Sequence, residues 1–93
     1  MNLNIIDLVK RDRPSPLRER LARNIRAQRV VLGISQDELA YRAEMHRTNV
    51  SAIERGVRNV SLDNLYFLAK ALEISPSKLI DENASDDVSA EGS

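Results

Sequence analysis

Ninety-three residues with no cysteine and one histidine make room for a single domain, and exclude a disulfide framework or a thiolate metal site. The 14 bases and 14 acids cancel only in total: every Lys and Arg lies at or before Lys78 while five acids follow Ile80, so residues 1–80 carry 14 bases against 9 acids. A basic body points to a polyanionic partner or to a solvated basic helix face, and charge alone does not choose between them; no apolar run nears the roughly 20 residues of a membrane span and no signal peptide is evident, so the expectation is a soluble cytoplasmic protein.

The three aromatics, Tyr41, Tyr66 and Phe67, leave a core of Leu, Ile, Val and Ala with few β-branched runs, which predicts an all-α domain of helices packed on helices. Residues 1–14 form an N-terminal arm in which Leu3, Ile5, Ile6, Leu8 and Val9 precede Lys10, Arg11 and Arg13. Helix, strand and ordered arm are all open there. Such an apolar terminus either packs on a second copy or folds back on its own monomer.

Ser15-Pro16 starts the first helix, with Ser at the N-cap and Pro in the first turn. Leu17, Leu21, Ile25 and Leu32 fall along one stripe, and Gly33 ends it. Ser35-Gln36-Asp37-Glu38 has the spacing of a capping box, and the short helix it opens carries Leu39, Ala40 and Ala43. A turn at Glu44-Met45 leads to a third helix that begins with four polar residues, His46-Arg47-Thr48-Asn49. Val50 and Ile53 face inward and Gly56 terminates it. Ser61 caps a fourth helix with Leu62, Leu65, Leu68, Ala69 and Leu72 at helical spacing, and Ser75-Pro76 starts a short fifth ending near Ile80. Residues 81–93 are acidic, have almost nothing to bury, and are predicted to be disordered.

S-Q-D-E-L-A, the apolar Met45, R-T-N-V-S-A-I-E-R-G and S-L-D-N-L-Y-F-L-A-K-A-L-E-I-S come in an order and spacing that resembles the lambda-repressor-like, Cro-type (XRE) family of helix-turn-helix DNA-binding regulators. The resemblance runs from about Leu17 to Ile80, and is particularly similar to the controller proteins of restriction–modification systems. It implies a compact five-helix helix-turn-helix domain over 15–80, between the arm and the tail. It also implies a homodimeric transcriptional regulator, a repressor or controller, that binds double-stranded DNA without a cofactor.

In that arrangement the second helix of the motif lies in the major groove with its N-terminal residues at base edges. Arg47, Thr48, Ser51, Asn49 and Ala52 are the expected base contacts. Arg47 can fork onto guanine O6 and N7, whereas Asn49 stands between a base and a phosphate. Gln36, at a helix N-terminus, is expected on a phosphate, against the plainer reading of a favourable first-turn residue. Arg42, Arg55, Arg58 and Asn59 are candidates for flanking phosphates, and Arg58 is a candidate for a base as well. The resemblance pairs Glu54 with Arg29. His46, which lacks partner ligands, is expected to cap or begin its helix rather than to bind metal.

Two positions depart from the family. Glu44 stands where Gly is frequent, so it must accept a left-handed backbone or turn differently. Gln28 stands where Leu is common, which thins the first helix's apolar stripe. The rival reading is a helical protein-interaction module, such as an antitoxin-like partner binder, that does not read DNA. No catalytic constellation is present, so an enzyme is not expected.

Overall fold

The computed structural model describes residues 13–82. Most of the predicted arm and nearly all of the predicted acidic tail lie outside them. The described chain is all-helical: α1 (Pro16–Leu32), α2 (Gln36–Ala43), α3 (Arg47–Glu54), α4 (Leu62–Ala71) and α5 (Pro76–Leu79).

Local chemistry sets most of these boundaries. Ser15 Oγ accepts from the Leu17 N–H at 2.8 Å, Pro16 opens α1, and Gly33 closes it in the left-handed region at φ 68°. Ser35 Oγ accepts from the Glu38 N–H at 3.0 Å. The Glu38 carboxylate turns to Arg42 Nε at 3.0 Å, so the Ser35 half of the predicted capping box is formed while Glu38 serves a different partner. Ser61 Oγ caps α4 through the Asn64 N–H at 3.1 Å.

The core gathers Leu21 and Ile25 of α1, Leu39, Ala40 and Ala43 of α2, Val50 and Ile53 of α3, Leu68, Ala69 and Ala71 of α4, Leu72, and Leu79 of α5. α1 packs on α3 and α5, α2 on α3 and α4, and α4 on α5. Two predicted core positions differ. Leu17 is nearly half exposed and Leu62 is 82% exposed, each in the first turn of its helix.

The polar side of α1 does what its apolar stripe alone cannot. Buried Asn24 donates from Nδ2 to the carbonyls of Leu79 at 2.9 Å and Asp81 at 3.0 Å, beyond the end of α5. Gln28 Nε2 donates to the Leu72 carbonyl at 3.0 Å, at the end of α4, and Arg26 Nη1 donates to the Glu54 carbonyl at the end of α3. Helix C-termini leave carbonyls without intrahelical partners. One helix therefore caps three others, and Gln28, which adds no apolar group to the stripe, connects α1 to the end of α4.

Candidate nucleic-acid interface

The turn between α2 and α3 spans three residues, Glu44 to His46. Glu44 takes the left-handed conformation at φ 56° and ψ 46°, and its N–H bonds back to the carbonyls of Ala40 and Tyr41. Met45 N–H follows onto the Ala40 carbonyl at 2.9 Å, while its half-buried side chain packs against the core. His46 is the N-cap of α3: its Nδ1 accepts from the Thr48 N–H at 3.2 Å and lies 2.8 Å from Thr48 Oγ1.

α3 divides sharply by exposure. Arg47 and Thr48 are exposed, Asn49 and Ser51 half-buried, and Val50, Ala52, Ile53 and Glu54 buried. Ala52 is the correction: at 5% exposure its methyl has no access to a thymine. Because α3 packs against both α1 and α2, its inward arc is wide enough to take in position 52.

The exposed end is organised by ion pairs and hydrogen bonds. Arg47 Nε lies 2.9 Å from Asp37 Oδ1, across the motif from the first turn of α2. Arg55 Nη1 donates to Ser51 Oγ at 2.8 Å. Arg58 and Asn59, exposed in the loop after α3, line a cleft with Arg13, just ahead of α1, and Arg18 of its first turn. Arg42 is placed differently: Glu38 holds its Nε, and its Nη1 lies 3.6 Å from Glu73 Oε2 near the end of α4. That arginine sits between two carboxylates.

At the opposite end of α3 lies a largely buried network. Arg29 donates to Glu54 through Nε at 2.7 Å and Nη2 at 3.0 Å, and through Nη1 to the Ile34 carbonyl at 3.1 Å. Gln36 Nε2 donates to Glu54 Oε1 at 3.0 Å. The Glu54 side chain is 3% exposed and that of Arg29 19%. The hydrogen bonds from Arg29 to Glu54 raise the guanidinium's pKa, desolvation opposes the rise, and the carboxylate's charge adds to it. Bidentate pairing and the Gln36 amide together satisfy a charge that would otherwise be costly to bury. The end of α3, the first turn of α2 and the body of α1 are thereby joined at one carboxylate.

Sequence reasoning missed Asp37, Arg26 and Asn24. Asp37 and Arg47 stand in different helices, and no local pattern couples them. Asn24 interrupts an apolar stripe at i+3 from Leu21, a signal that reads only as a weak spot until α5 is packed beside it.

A helix-turn-helix family model matches residues 25–79, more than half of the chain. The control protein C.BamHI of Bacillus amyloliquefaciens is 52% identical over 48 residues, 52% of this chain and 59% of that relative. The match therefore spans less than two thirds of that relative's length. The control protein C.SmaI of Serratia marcescens is 44% identical over 64 residues, 69% of this chain and 76% of its own. Among solved structures, the restriction–modification controller protein C.Esp1396I, as a tetramer in complex with its natural 35 base-pair operator, superposes with a TM-score of 0.65 at 34% identity, covering 70% of this chain and 86% of that one. These relatives are regulators, not enzymes.

Proposed function

The chain belongs to the helix-turn-helix family, and from that membership we propose that it is a transcriptional regulator that reads double-stranded DNA by placing the N-terminal end of α3 in the major groove of a palindromic operator. One observation carries the reading. The polar residues of α3 that a core does not need are gathered toward its exposed N-terminal end, and the Arg29–Glu54–Gln36 network fixes the opposite, C-terminal end of the helix against α1 and α2.

Arg47 is the principal reader, through its fork onto guanine O6 and N7, with Thr48, Asn49 and Ser51 beside it. Gln36 is oriented by Glu54 toward a phosphate at the α2 N-terminus, where backbone N–H groups and the helix dipole favour an anion. Arg55, Arg58 and Asn59 flank the same side and take further phosphates. Arg42 contributes only if DNA draws it from Glu38 and Glu73.

The protein acts as a homodimer, whose two readers engage half-sites about 34 Å apart. The exposed Leu62, Tyr66 and Phe67 of α4 favour such pairing, since a second copy would remove their apolar surface from water. The C.Esp1396I assembly on its operator supports an oligomer on DNA.

The test is selection of bound sequences from random duplex DNA at fixed salt, with wild type and Arg47→Ala in parallel. The expected result is an inverted repeat with a guanine whose preference relaxes about tenfold in the variant, within the range for one bidentate contact. Equal binding to every duplex, sensitive to salt alone, would reduce the interface to a basic surface.

A further inference from the structure

We propose that Asp37 is a specificity-determining residue: its carboxylate holds the Arg47 guanidinium in place for a guanine and penalises every other docking of that arginine. This rests on the reading of Arg47 given above. The Nε of Arg47 lies 2.9 Å from Asp37 Oδ1, and the two side chains are 62% and 75% exposed. An ion pair as open as this adds little to folding stability. An acid there also stands in the way of DNA, next to Gln36 at the end of α2 expected to approach a phosphate. Glu38, its neighbour, turns to Arg42 instead, so Asp37 is the acid of that turn aimed at the reader.

The pair acts in two ways. The carboxylate approaches the guanidinium on its Nε side, which favours presenting the Nη1–Nη2 edge to O6 and N7. A side chain already held loses less conformational freedom on binding. The second effect is rejection. Where the base pair offers no guanine, an arginine ordinarily swings to the nearest phosphate. Here that move separates Arg47 from Asp37 and leaves a bare carboxylate facing the negatively charged backbone. Discrimination is a difference of affinities, and an element that repels the wrong partner widens it. Asp37 thus positions Arg47 without itself reading a base.

The experiment measures equilibrium binding of the full chain to the selected duplex and to three duplexes in which that guanine pair is replaced. Wild type, Asp37→Ala, Asp37→Asn, Arg47→Ala and Asp37→Ala with Arg47→Ala are compared at one salt concentration, with thermal unfolding to verify that each is folded. Asp37→Ala and Asp37→Asn are expected to lower discrimination at that pair by about tenfold, mainly by tightening the three wrong duplexes. In the Arg47→Ala background the Asp37 substitution should change discrimination no further, which a merely structural role would not produce. An equal change on all four duplexes would overturn the proposal and leave the Arg47 reading intact, since Asp37 would then be a general repellent. No relaxation in Arg47→Ala would overturn the reading itself and the Asp37 role with it.

Discussion

Glu54 shows how a single residue can belong to the fold and to the interface at once. Its carboxylate is buried, yet it stands at the end of the helix proposed to enter DNA, and Arg29 and Gln36 both donate to it. Removing one partner of such a pair strands the other charge. Glu54→Ala and Arg29→Ala are each expected to destabilise the fold by about 3–5 kcal/mol, measured by urea unfolding. Replacing both with apolar residues of similar volume should cost less than the two single losses together, because no charge is left buried. Asn24 poses the same question without charge. Asn24→Ala leaves the Leu79 and Asp81 carbonyls short of a donor, and an expected loss of about 1–3 kcal/mol on urea unfolding checks its role as the cap of α5.

At the scale of elements, the α2–α3 turn is the joint on which the interface depends. Glu44 holds a left-handed backbone that glycine adopts without steric cost, and it places an acid at a helix C-terminus where the dipole disfavours one. Glu44→Gly is therefore expected to stabilise the protein by up to about 1 kcal/mol, read as a rise in Tm, with the sequence preference unchanged. The helix starts were legible in the sequence because each is announced within three residues: Ser15 before Pro16, Ser35 before Glu38, Ser61 before Asn64. The exposed tip of α3 was legible for the same reason, as four polar residues ahead of Val50. What was not legible depends on pairing across the fold. The burial of Ala52 follows from α3 lying against two helices at once, and the partnerships of Asn24, Gln28 and Asp37 join residues whose proximity exists only after packing.

For the molecule as a whole, the account is of a basic body whose readers are arranged by a two-fold axis. The chain should sediment at twice its monomer mass. Leu62→Glu with Tyr66→Glu, two exposed positions one turn apart on α4, should shift it toward monomer while leaving the helical circular dichroism unchanged. Affinity for the operator should fall linearly with salt on logarithmic axes, and Arg58→Ala should lower the magnitude of that slope by about one, weakening all sequences alike. The central claim, that α3 reads the major groove through Arg47, is tested most directly by replacing the selected guanine with 7-deazaguanine, which removes the N7 acceptor and leaves Watson–Crick pairing intact. The account predicts that wild type loses affinity for the modified duplex while Arg47→Ala binds modified and unmodified DNA equally. Undiminished wild-type binding to the modified duplex, together with a loss on inosine substitution, which removes the minor-groove amino group, would contradict it.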